Sequence, residues 1–264
     1  FVNNSGCYGG AIYAAVIDDV GTPSLVIRDS EFVNNTAYAG TIQIVDIEYE
    51  ISDSLFDGNK ALGYGSVGYT AAGAAVTAMY PGANGLVTNC TFTNNRVSST
   101  ATPKGGAIVA QNGKIHIAGS KFENNSVFGS ELAYGGAICG DSSVEMIIEN
   151  SNFTNNTAAK GAGVYVGDGA SLIVNSVKFI NNTAVTRGGA IYSEGNVAVN
   201  KAIFDGNDVT FRSKNVDNGG AAIYALGGKL TVVDSNFTNN LKDYVVRGTD
   251  DKTGDLINAI ITTS

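Results

Sequence analysis

The chain carries one histidine, His116, three cysteines, Cys7, Cys90 and Cys139, and two acidic clusters, Asp18/Asp19 and the TDDKTGD stretch holding Asp250, Asp251 and Asp255. These residue types could move protons, attack a carbonyl or hold a cation, so their spacing decides which chemistry is open. Acid–base cleavage needs two carboxylates, or a carboxylate and a histidine, converging on one reacting atom. A calcium loop needs oxygen ligands at regular short intervals. Neither acidic cluster has that spacing, and both read as solvated turns. The cysteines are an odd set without a CxxC pair, so neither a disulfide framework nor a zinc site is expected and all three read as structural fillers. No catalytic residue, metal or cofactor is assigned.

What would position any site is a repeat. Aligned on phenylalanine, the chain reads FVNN at 1 and 32, FDGN at 56, FTNN at 92, FENN at 122, FTNN at 153, FINN at 179, FDGN at 204 and FTNN at 237. Asn holds the fourth place every time. Each of the first eight is followed by a small-small-small-aliphatic step, such as GGAI ending at Ile108, Ile138 and Ile191. Residues seven and five places before Phe are nearly always apolar, as in Ile115/Ile117 and Leu172/Val174, and the unit recurs every 24 to 36 residues. Such self-similarity is the mark of a solenoid.

Each unit holds three stretches with apolar residues two apart, the spacing that points side chains to one face of a strand. They are GAIYA, an IxI stretch and SxF. Asp29, Asp53, Asn89, Asn150 and Asp234, between IxI and SxF, suit a left-handed bend. One such coil cannot bury its inward face alone. Stacked coils can, giving three parallel sheets at about 4.8 Å per coil and a rod of roughly 40 Å for nine coils. The expected fold is therefore all-β, a single-stranded parallel β-helix of about nine coils with three short strands each. Phe32, Phe92, Phe122, Phe153 and Phe179 should stack in one inward column. Asn35, Asn95, Asn125, Asn156 and Asn182 should take the turn conformation and bond amide to amide. Cys90 stands where most coils have Ser, and should be its stand-in.

FxxN paired with GGA[ILV] resembles the repeat of chlamydial polymorphic outer-membrane proteins, and FxNNTAxxGGAIY resembles methanogen adhesin-like surface proteins. The resemblance covers residues 1–240; residues 241–264 lack a following GGAI and read as a degenerate terminal coil or a junction to another module. It implies a right-handed β-helix displayed at the cell surface, extracellular, adhesin-like, with a glycan or protein ligand. A structural stalk or surface coat is the alternative, and a polysaccharide lyase or hydrolase ranks third. Against the enzyme, the outward positions −6 and −4 from Phe offer scattered charges, about one per coil, with no Asp, Ser or Cys beside His116.

The net charge of −8 argues against nucleic acid as a partner. No apolar run approaches the about 18 residues of a spanning helix, so direct membrane insertion of this segment is not expected. The sequence opens inside a repeat, which predicts a longer chain with further modules. Binding is expected where coils differ. Long insertions after Asn59, Asn95 and Asn125 should form a ridge carrying Tyr64, Tyr69, Phe128 and Tyr134. On the GAIY strands, Tyr165, Tyr192 and Tyr224 point outward on consecutive coils and should make a flat aromatic strip for sugar rings or a partner's apolar patch. Asn34, Asn124, Asn155 and Asn181 lie in Asn-x-Ser/Thr sequons, open to N-glycosylation in a glycosylating host.

Overall fold

A computed structural model describes residues 1–16, 23–63, 72–211, 219–240, 246–248 and 259–262. All its strand pairs are parallel and each strand neighbours its equivalents one coil away, as a right-handed parallel β-helix requires. The sheets number four rather than three, with 8, 9, 9 and 8 strands. The fourth is made of short strands just after the Asn turn, among them Thr36–Ala37, Arg96–Ser98, Ser126–Phe128 and Thr157–Lys160. A two- or three-residue strand with a single inward residue (Ala37, Ala61, Val97, Val127) has no visible alternation, so in sequence it passes for a turn. Beyond residue 240, Val246–Gly248 pairs with Ile223–Ala225 and Ala259–Thr262 with Leu230–Val233, extending the second and third sheets.

The phenylalanines stack without a gap from Phe1 to Phe237. Successive ring centroids are 4.7–5.0 Å apart and the planes agree within 20°. Beside them runs the asparagine ladder. Asn59 Nδ2 donates to Asn95 Oδ1 at 2.9 Å and to the Phe32 carbonyl at 2.8 Å, and its own Oδ1 accepts from Asn35 Nδ2 and the Asn35 backbone N–H, both at 3.0 Å. The same set of bonds recurs at Asn95, Asn125, Asn156, Asn182 and Asn207, all fully buried.

The two duties expected of one asparagine are divided between neighbours. The third residue of the motif takes the left-handed conformation, with φ of 54° at Asn34, 55° at Asn124 and 53° at Asn181, while the fourth makes the ladder. This explains FDGN: Gly58 and Gly206 supply φ of 65° and 66° at that third place. The bend before SxF is left-handed as expected, with φ of 48–54° at Asp29, Asp53, Asn89, Asn150 and Asp234. In the small-residue step, a Cβ on Gly106 would lie 1.9 Å from the Gly136 carbonyl of the next coil, so no side chain fits.

Cys90 does replace serine. Its buried thiol donates to the Thr88 carbonyl at 3.2 Å, as Ser54 and Ser151 hydroxyls do to Ser52 and Glu149, and burial pushes its pKa up to about 11. Elsewhere the interior balances large against small. A Cβ on Gly85 would fall 1.9 Å from Tyr49 Cζ, so the tyrosine ring fills the slot that glycine leaves in the next coil. Tyr49 is buried and its hydroxyl has no partner among the described residues. Tyr49→Phe removes that unsatisfied group and is expected to stabilise by about 1 kcal/mol, seen as a higher urea midpoint at unchanged slope. A lower midpoint would mean that the hydroxyl is satisfied after all.

Candidate functional site

The three tyrosines occupy the outer side of consecutive strands Val164–Val166, Ile191–Ser193 and Ile223–Ala225. They stack as expected, at 5.7 Å for each successive pair. They are not an open strip. Tyr165, Tyr192 and Tyr224 are 6%, 0% and 1% exposed, because the chain leading into each small-residue step folds over them. That cover is itself a ladder, running by single bridges from Ala72 to Lys104 to Tyr134 to Lys160, through the ends of paired strands from Lys160 to Arg187, and by a bridge again to Gly219. Tyr134 tilts onto Tyr165 at 4.5 Å, and Lys160 Nζ lies 5.1 Å from the Tyr134 ring and 5.6 Å from that of Tyr192. Arg187 sits 5.2 Å over Tyr224.

Two of the three phenols converge on one carboxylate. Tyr165 Oη donates to Glu194 Oε2 at 3.0 Å and Tyr192 Oη to Glu194 Oε1 at 2.9 Å. Burial, then the adjacent Glu194 charge, holds both phenols protonated far above their ordinary range. Further along the same cover, Lys104 pairs with Asp141, which also accepts from Gln111 Nε2 at 3.2 Å. The aromatic column is thus enclosed beneath a half-exposed layer of Lys104, Tyr134, Lys160, Arg187, Asp141 and Glu194. Sequence reasoning missed those partners. Their signal was present, since Lys104, Tyr134, Lys160 and Arg187 each stand immediately before the small-residue step, where a long side chain is out of character. Substituting all three tyrosines by serine would therefore disturb packing and could not serve as a clean test of binding.

Of the ridge residues, Tyr134 belongs to this cover and Tyr64 and Tyr69 lie outside the described residues. Phe128 is half-buried on the short-strand sheet, with the Arg96 guanidinium 3.7 Å above its ring. The sequon asparagines Asn34, Asn124, Asn155 and Asn181 are exposed at one left-handed corner. Asp18/Asp19 and Asp250, Asp251 and Asp255 lie outside the described residues. His116 has a partner that register arguments did not supply, Glu149 Oε2 at 3.1 Å. Asn175 and His116 together hold the Glu149 carboxyl below its usual range. His116 borders a shallow groove of about 480 Å³ on the outer face of the IxI sheet, lined also by Glu50, Leu86, Lys114, Glu145 and Ile147.

Residues 69–202 match the family described as the right-handed beta helix region. The chain belongs to the right-handed β-helix family. It is also similar to the probable autotransporter YfaL of Escherichia coli (strain K12), with 33% identity over 122 residues. That stretch covers 40% of this chain and 9% of the relative, so the chain corresponds to a small part of the longer protein. No solved structure matches.

Proposed function

We propose that this β-helix is part of a surface-displayed, extracellular protein of autotransporter or adhesin-like type, and that its flanks present a binding surface for a glycan or a protein. The reading is supported by the β-helix family, by the likeness to a probable autotransporter, and by the resemblance of FxxN/GGA[ILV] to chlamydial and methanogen surface repeats. The observation that carries it is the contrast between inside and outside. The buried phenylalanine and asparagine columns repeat one residue type through nine coils, whereas the outward columns change chemistry along the stack, as in Lys60, Arg96, Ser126 and Thr157. A stalk needs the first property alone.

The test is to couple the chain to beads and measure retention on a panel of immobilised glycans and on cultured cells, against beads carrying a bare β-helix of unrelated sequence. Retention above that control is expected, with no release of reducing ends from the glycans, since the chain is read as non-catalytic. Absence of retention on every surface would sink the reading. A structural stalk would then be favoured, a role that the enclosed tyrosine column already suits.

A further inference from the structure

On the outer face of the short-strand sheet, Lys60 and Arg96 stand directly in register on adjacent coils, followed by Ser126 and Thr157. Both cations are exposed and neither has an ion-pair partner among the described residues. Stacked like charges repel. The nearest acid in sequence, Asp57, is occupied around the corner, accepting from Asn94 Nδ2 at 2.9 Å. In a chain of net charge −8, an unpaired cation stack is the feature that calls for an anion. Phe128, one coil further, lies beneath the Arg96 guanidinium, whose central carbon is 3.7 Å from the ring centroid. A guanidinium stacked on its face keeps its N–H edge free for an oxyanion, and loses less side-chain entropy on binding because it is already ordered.

We propose that Arg96 and Lys60 bind a sulfate ester of a glycan, with Phe128 as the residue that positions Arg96. The proposal rests on the binding-surface reading above and names its ligand class. Sulfate fits better than carboxylate because the two cations come from different coils. They approach an anion from two heights, which the three terminal oxygens around a tetrahedral sulfur can answer over a wider range of directions than the two coplanar oxygens of a carboxylate. Ser126 and Thr157 continue the line with hydroxyls for neighbouring sugar oxygens. The coil repeat seen in the phenylalanine stack, 4.7–5.0 Å, is close to the length of one pyranose, so the saccharide would run along the helix axis.

The experiment is calorimetric titration of the folded chain with a heparin octasaccharide and with the same octasaccharide chemically desulfated, which keeps its carboxylates. Wild type is expected to bind the sulfated form, more weakly as salt rises, and the desulfated form at least about tenfold less. Arg96→Gln and Lys60→Gln should each weaken binding about tenfold and flatten the salt dependence. Phe128→Leu should weaken binding while leaving the salt dependence as steep as wild type, because both charges remain. Equal affinity for the desulfated saccharide, undiminished binding by Arg96→Gln, or no binding by wild type would each overturn the proposal. Retention on other glycans or cells together with no heparin binding would remove this site alone and leave the surface reading in place.

Discussion

Replacing Asn156 with alanine is expected to cost about 4 kcal/mol, at about 1 kcal/mol for each of four buried hydrogen bonds. Asn156 donates to the Phe122 carbonyl at 3.0 Å and to Asn182 Oδ1 at 2.9 Å, and accepts from the backbone and side chain of Asn125 at 3.0 and 3.1 Å. Alanine leaves all four partners in a fully buried corner. Equilibrium denaturation reads the loss directly. Asn156→Asp sharpens the test. Its carboxylate would face two acceptors, Phe122 O and Asn182 Oδ1, so its folded-state pKa must rise above the unfolded value of about 3.9. The sign follows: the protonated acid is tolerated below that value, and stability falls as pH climbs through the raised one. Relative to wild type, the aspartate variant should be worse at neutral pH than near pH 4. A flat difference would mean that the ladder is not a closed acceptor–donor chain.

Phe153→Ala should cost about 3–5 kcal/mol through lost burial and a cavity that the fixed coil spacing cannot close. Its ring lies between Phe122 at 4.7 Å and Phe179 at 4.9 Å, so truncation also breaks two stacks. Ile173, 44% exposed on the outer face, supplies the control. Ile173→Ala should change stability by only a few tenths of a kcal/mol. Equal losses at the two positions would place the interior on the wrong side of the sheets.

Sequence makes legible what repeats by residue type. Phe153 and Asn156 recur in like company every coil, and stacking turns such recurrence into a column, so both ladders could be named beforehand. Compensating pairs are harder. Tyr49 and Gly85 each look like exceptions in their own coil, and only the coil-to-coil contact shows that one fills the other's space. The exposure of Tyr192 failed for a related reason. Strand alternation gives the side of the sheet on which a residue lies, but not whether a distant segment covers that side. Lys160 and Arg187 do cover it, from the ends of short strands continued by single bridges, too short to show a period. The fourth strand of each coil was lost likewise, its one inward residue being too few to alternate.

The asparagine ladder also has a direction. From Asn35 to Asn207 every side-chain amide donates to the asparagine of the following coil and accepts from that of the preceding one, and Asn240 accepts at the end. The amide dipoles therefore add rather than cancel, with the oxygen end toward the first coil and the N–H end toward the last, and each bond polarises the next. Such a column behaves as a one-way electrical axis buried along the rod. Two rods side by side would lower their mutual field energy by lying antiparallel. End to end they could share the axis only head to tail, since the opposite arrangement sets amide oxygen against amide oxygen or N–H against N–H.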